Sequence, residues 1–324
     1  MLIPAFWTHA PAAQCALTGL NPALTGSDVL QSAAGQYNGQ QGGNPKLQPE
    51  VGKTTNVGLV FTPTFLPGFS ATVDYTDIKM TNVITTYGPN LIQTNCINNP
   101  TGLSATGQTW CSMIHRDSNG TLWASPQGYT QDPLINLASL ENESVDVGLA
   151  YRFDMGSWGR MRSRLDGTYL IKLITEPGAG APQFDCAGRY GPSCEPVTPT
   201  WRHRFAFDWD TPVAGLSSGF TWRFFGKASN TLFDPKNPDY VGTQDRTLRP
   251  DSEIPTISYL DLRVSYTWNK VTLRAGVNNV LDKDPPTLDT VDSGGNSIYA
   301  ESNTWPSVYD VAGRFLYLNV TVDF

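Results

Sequence analysis

Long apolar runs are missing from this sequence. No stretch approaches about 18 consecutive apolar residues, which excludes a transmembrane helix. Charge is also scarce, at 16% of residues, and basic charge is the scarcer sign, with 22 Lys and Arg against 29 Asp and Glu. The net charge of −7 argues against nucleic acid as a partner, because phosphate needs a basic surface. Only three histidines occur, and His9, His115 and His203 fall in unrelated segments, so a zinc site is not expected. No Gly-rich phosphate loop or nucleophile motif stands out, so the expectation is no cofactor and no enzyme activity. Glu141/Glu143 and Asp282/Asp284 are carboxylate pairs, but alternate strand residues share a face for structural reasons alone. Asp289, Asp292 and Asn296 read as an ordinary polar turn rather than a calcium loop.

What the sequence does have is period two. Side chains of a strand alternate sides, so a two-sided wall reads as apolar at every second residue. Leu260, Leu262, Val264, Tyr266 and Trp268 interleave with Asp261, Arg263, Ser265 and Thr267. Trp201, His203, Phe205, Phe207 and Trp209 interleave with Arg202, Arg204, Ala206 and Asp208. The same alternation runs through 145–153 and 160–171. The polar set is rich in Arg, Asp, Thr and Gly, while the apolar set is heavily aromatic. A β-sandwich also alternates, but its polar face usually carries Lys and Glu. The pattern here suits a wet barrel interior and a lipid-facing exterior.

Segment layout agrees. Strands are predicted near 54–62, 68–87, 139–153, 160–175, 200–210, 216–229, 257–269, 270–279 and 310–324. Short links at 63–67, 154–159, 211–215 and 269–270 alternate with long ones at 88–138, 176–199, 230–256 and 280–309. Up-and-down outer-membrane barrels place short periplasmic turns and long extracellular loops at opposite ends. Phe61, Phe65, Phe69, Phe153, Trp158, Trp209 and Trp268 cluster at the short-turn ends, as interfacial aromatics do.

Cys96 and Cys111, and likewise Cys186 and Cys194, bracket polar stretches in long loops. Disulfides Cys96–Cys111 and Cys186–Cys194 in an oxidising compartment are expected, with free thiols the alternative. Cys15 has no obvious mate, which fits a partner in upstream sequence. Met1 to Cys15 lacks the basic leading region of an export signal, and Pro4 and His9 interrupt its apolar run. Any signal is therefore expected upstream, with the chain a truncated piece.

The last strand, Gly313-Arg314-Phe315-Leu316-Tyr317-Leu318-Asn319-Val320-Thr321-Val322-Asp323-Phe324, resembles the C-terminal signal read by the outer-membrane assembly machinery. In a closed barrel it is expected to pair with the first strand, leaving no open edge. Asn44-Pro45-Lys46-Leu47-Gln48-Pro49-Glu50 resembles a segment of TonB-dependent receptors that precedes a barrel strand. Gly276-Val277-Asn278-Asn279-Val280-Leu281-Asp282-Lys283 resembles the family's late Gly-x-x-Asn-Leu-Phe-Asp-Lys segment, with Val280-Leu281 a departure. The resemblance covers roughly residues 44–324.

It implies an all-β, transmembrane antiparallel β-barrel, partial: nine C-terminal strands of about 22. Residues 1–53 would be an extracellular loop region and barrel lead-in, and 54–324 the C-terminal portion of the barrel, without the N-terminal plug. The implied function is energised uptake of a siderophore, cobalamin, haem or oligosaccharide across the outer membrane of a Gram-negative bacterium. The implied partners are outer-membrane lipid, the missing plug and barrel strands, TonB through that plug, the assembly machinery through the Phe324 strand, and a small-molecule nutrient. A passive porin and a secreted soluble β-rich carbohydrate-binding protein are the alternatives. Candidate ligand contacts are loop aromatics able to stack on flat ligands (Tyr87, Trp110, Trp123, Tyr129, Tyr190, Tyr240, Tyr299 and Trp305). Lumenal Arg202, Arg204, Arg223, Arg263 and Arg274 are the candidates for anionic ligands, against pairing with Asp261.

Overall fold

The computed structural model describes residues 12–104, 106–176, 183–191, 194–236, 252–288 and 304–324. Its main sheet has nine long strands in chain order: β1 (Val51–Phe61), β2 (Phe69–Thr85), β3 (Ile135–Asp154), β4 (Arg160–Glu176), β5 (Trp201–Asp210), β6 (Leu216–Phe225), β7 (Ile257–Trp268), β8 (Val271–Asn278) and β9 (Phe315–Val322). Each pairs antiparallel with the next. A short strand, Phe184–Asp185, adds to the loop end of β4. No helix among the described residues is long and apolar enough to cross a membrane. In hydrocarbon the backbone must satisfy itself, and this ladder does so for every strand but the outer two. The outer edges of β1 and β9 have no strand partner among the described residues, so the expected pairing of the last strand with a first strand is not made within this sheet. The barrel wall is partial and open.

Register puts the two sets of side chains on opposite faces. One row across seven strands runs Phe61, Ala71, Leu149, Leu165, Phe205, Trp222, Leu260. The next row on the other face runs Thr72, Gly148, Asp166, Arg204, Arg223, Tyr259. The apolar rows do not fold inward. Leu262, Val264 and Tyr266 are each more than 40% exposed, so they meet the medium outside the wall. His203 is the one polar ring in the Trp201 row. Its Nδ1 accepts a bond from Trp201 Nε1 at 2.9 Å, and it stacks on Phe224 with centroids 5.0 Å apart.

The short turns share one device. Gly68, Gly159 and Gly215 close three of them with φ of +85°, +88° and +77°, a region that disfavours other residues. A Cβ at any of the three would collide with a backbone carbonyl of the next hairpin: that of Arg152, Asp210 or Thr267. Two are also tied there by hydrogen bonds, Arg152 N–H to the Gly68 carbonyl (2.9 Å) and Thr267 N–H to that of Gly215 (2.8 Å).

Strand boundaries differ from the sequence expectation where loops interfere. β6 ends at Phe225 instead of 229 because Gly226 turns the chain, and Ala228–Asn230 joins a separate four-stranded sheet with Cys194–Thr198, Arg189–Gly191 and Glu253–Ile254. β9 starts at Phe315 instead of 310, after Gly313 adopts φ +65° and the Arg314 N–H bonds Asp282 Oδ1 at 2.7 Å. β3 starts earlier, at Ile135, because it follows β2 out to Thr85 through two register shifts.

The described parts of the long connections lie at the end opposite the turns. The 86–134 connection contains the helix Pro89–Asn98 and packs Tyr87, Ile92, Cys96, Met113 and Leu122 against Ile135 of β3. Cys96 and Cys111 are bridged there, with Cα atoms 4.6 Å apart. Cys186 and Cys194 are bridged with Cα atoms 5.3 Å apart. Residues 12–50 hold no long strand and dock on the 86–134 connection. Gly39–Gln40 pairs with Thr130–Gln131, and Asn38 Nδ2 donates to the Ser125 and Gly128 carbonyls at 2.9 and 2.8 Å.

Candidate functional site

Strand alternation dictates which charges share the concave, inward face, and the strands bring them to one depth. Arg202 and Arg204 of β5 lie beside Asp146 of β3, Asp166 and Thr168 of β4, and Arg223 of β6. With Thr72, Gly148, Gly167 and Phe225 they line a basin of about 440 Å3. Gly148 keeps it open, because a Cβ there would come within 2.5 Å of Thr72 Oγ1.

The acids in this basin are already engaged. Asp166 lies directly across from Arg204, yet Arg164 holds it in a two-pronged grip, with Nε at 3.0 and 2.7 Å and Nη2 at 2.8 Å. Asp146 accepts from Thr168 Oγ1 at 2.6 Å. Arg223 is clamped between two carboxylates. It meets Asp261 through Nε at 2.8 Å and Nη2 at 2.9 Å, and Asp310 through Nη1 at 2.8 Å and Nη2 at 2.5 Å. Asp261 also takes the Asn279 N–H at 2.9 Å, and the Arg223 guanidinium lies 4.9 Å over the Tyr259 ring. Arg263 is spoken for as well, by Asp208 at 2.6 Å and Thr221 at 2.7 Å. Arg202 and Arg204 make no hydrogen bond or ion pair with the described residues, and both are exposed to the basin. They are the donors left over. Arg274 makes one side-chain hydrogen bond among the described residues, to Thr321 Oγ1 at 3.5 Å.

The aromatic candidates divide differently. Tyr190 and Trp305 are buried and meet edge to face, 5.3 Å apart, in a core with Val197, Ile254, Tyr259 and Tyr309. Their place is packing between loops. Trp110 packs edge to face on Tyr87 at 4.8 Å, Tyr129 stacks on His115 at 4.5 Å, and Trp123 donates to the Val29 carbonyl at 3.2 Å. These three are half-buried in the 86–134 connection, and no two of them form a shared platform. Tyr240, Tyr299 and the Asp289–Asp292–Asn296 turn lie outside the described residues. Among those described, no group of three or more metal-ligating side chains forms. Asp310 has no place among the sequence-level candidates. It is the expected first residue of the last strand, and its cue in the sequence is a lone acid between Tyr309 and Val311.

Burial shifts two groups under the N-terminal segment. Arg116 donates to the Thr18 and Gly120 carbonyls at 3.2 and 2.8 Å, and its burial pulls its pKa down to about 10. The Cys15 thiol is buried close by. Burial pushes it up, partly offset by the Arg116 charge.

Among solved structures, the ferric enterobactin receptor PfeA of Pseudomonas aeruginosa, a mutant form in complex with enterobactin, matches 88% of this chain at 16% identity and a TM-score of 0.51. The siderophore receptor PirA of Acinetobacter baumannii matches 88% at 18% identity and a TM-score of 0.50. This chain spans 33% of each of those chains, about a third of their length. At such identities the likeness establishes fold. No curated protein sequence matches. The family model described as "TonB dependent receptor-like, beta-barrel" matches residues 17–280, most of the chain. That family comprises outer-membrane receptors and transporters of Gram-negative bacteria rather than enzymes. With the nine-stranded two-faced wall and its loop-end cap, this match establishes that the chain belongs to the TonB-dependent receptor β-barrel family.

Proposed function

We propose that this chain forms part of the wall and extracellular cap of an outer-membrane transporter that takes up a scarce nutrient with energy delivered through TonB. The expected 53/54 division falls inside β1 (Val51–Phe61): the residues before that strand serve as extracellular cap and lead-in, and the strands from β1 onward serve as wall, with the long connections between them completing the cap. An N-terminal plug and further barrel strands, needed for gating, would be supplied outside these residues. The observation that carries the ligand reading is the unpaired Arg202–Arg204 pair beside engaged acids. Such donors suit a ligand bearing carboxylate or similar anionic groups, because guanidinium–anion bonds are charge-assisted. A ferric siderophore fits this chemistry best. Trp110, Trp123 and Tyr129 are the loop rings with some exposure left for an approaching ligand, whereas Arg263 serves the wall.

The test is uptake by cells carrying the full-length protein, scored on ferric siderophores, cobalamin, haem and oligosaccharides, with and without TonB. Uptake of an anionic ferric siderophore that vanishes without TonB, and falls at least tenfold in Arg202→Gln/Arg204→Gln, is expected. Passage of unrelated small solutes independent of TonB would instead identify a passive channel. Recovery as a soluble monomer without detergent would reject any membrane role.

A further inference from the structure

Arg204 and Arg223 are direct cross-strand neighbours, a placement that is unfavourable for like charges unless anions intervene. Arg223 is neutralised by Asp261 of the wall and by Asp310, which comes from the last long connection. Arg204, Arg223, Asp261 and Asp310 balance in charge. If Asp310 leaves, the remaining three carry one net positive charge, and Arg223 loses two of its four charged bonds. Asp261 stays on Arg223, and the vacated position favours another anion.

Asp310 belongs to a segment, 304–312, laid against the inner side of the wall. Trp305 and Tyr309 anchor it in the core with Tyr190 and Phe225, and its polar ties include the Asp310 N–H to Tyr259 Oη at 3.3 Å, the Val308 and Tyr309 N–H groups to the Trp305 carbonyl, and the carboxylate on Arg223. The segment also buries the Thr304 Oγ1 and Tyr309 Oη atoms, neither of which has a hydrogen-bond partner. Lifting it would return both hydroxyls to water, which offsets part of the apolar burial that Trp305 and Tyr309 would lose.

We propose that the Asp310 carboxylate is an internal stand-in for the anionic group of the ligand, and that a carboxylate-bearing ligand gathered by Arg202 and Arg204 displaces it from Arg223 and releases segment 304–312. The inference rests on the anionic-ligand reading above and adds a defined exchange: one carboxylate leaves Arg223 as another arrives. The ligand shifts the segment because it has affinity only for the state in which Arg223 is available.

Hydrogen–deuterium exchange of the full-length protein in detergent micelles tests this, with tricarballylate as the probe and its neutral triamide as control. In the resting protein the 304–312 peptide is expected to be protected, and Asp310→Asn to speed its exchange at least tenfold while β7 (Ile257–Trp268) stays unchanged. Tricarballylate should speed the same peptide in the unmodified protein, and the triamide should not. Arg202→Gln/Arg204→Gln should keep the resting protection and lose the tricarballylate response. Unchanged exchange in Asp310→Asn overturns the proposal. Deprotection of β7 along with 304–312, in both Asp310→Asn and the milder Arg223→Lys, also overturns it by making the cluster a fold determinant. Calorimetry separates the two remaining failures. Tricarballylate that binds without changing exchange refutes the displacement and leaves the anion basin standing, whereas no binding refutes both.

Discussion

Placing arginine at two adjacent positions of one strand weighs the two media directly. Leu149 and Ala150 lie five and four residues inside the short-turn end of β3, about half-way along the roughly ten tilted residues that cross a bilayer, and point to opposite faces. Leu149 is flanked in its row by Ala71 and Leu165, with Phe205 beyond, so an arginine there enters hydrocarbon. Charged substitutions at the lipid-facing midplane cost about 2–4 kcal/mol. Ala150 is flanked by Ser70 and Arg164, on the aqueous side. An arginine there meets one like charge, a penalty of roughly 0.2–1 kcal/mol. That penalty is softened because Arg164 is already bound to Asp166. The expected gap is about 1–4 kcal/mol, or roughly 5- to 800-fold in the folding equilibrium. Urea titration of the full-length protein in lipid vesicles, read by heat-modifiable gel mobility, measures it. Equal midpoints for Leu149→Arg and Ala150→Arg, or a lower one for Ala150→Arg, would refute the assignment of faces.

Other outcomes follow from the turns, loops and basin. Gly159→Ala should destabilise the protein by about 1–3 kcal/mol, through its positive φ and the collision with the Asp210 carbonyl, whereas Gly43→Ala, with open space around it, should not; the same titration compares them. Replacing Cys96 and Cys111 by serine removes a crosslink spanning 15 residues, worth about 3 kcal/mol of local stability. Limited proteolysis should then cut within 86–134 while heat-modifiable mobility is retained. Arg263→Gln leaves Asp208 without its cation and should lower stability without selectively lowering uptake, the reverse of Arg202→Gln/Arg204→Gln; uptake and urea midpoint measured together separate the two.

The wall was legible in the sequence because its physics is local. Alternation between two media writes itself at every second residue, and all nine strands follow from it, with inner and outer sets as expected for β5 and β7. The short turns were legible through the alternation of short and long links and through their flanking aromatics. The loops were not. Their cores depend on contacts between segments far apart, such as Tyr190 with Trp305 and Asn38 with Gly128, and composition marks such stretches only as polar. This explains why Tyr190 and Trp305 were indistinguishable from Trp123 as candidates. The basin was half legible. Strand parity placed Arg202, Arg204, Arg223 and Arg263 on one face, but not which of them are already paired. That depends on whether Asp166 turns toward Arg164 or Arg204, and on Asp310 arriving from a distant loop.

The most direct measurement of the central claim is spin-label accessibility along β7 of the full-length protein in lipid vesicles. Labels at Leu260, Leu262, Val264 and Tyr266 should be relaxed by oxygen dissolved in the lipid and shielded from an aqueous nickel chelate. Labels at Ser265 and Thr267 should show the opposite. A period-two alternation of the two signals is the predicted result; nickel access at every position, or a strand shielded from both reagents, would contradict a wall with lipid on one side and water on the other.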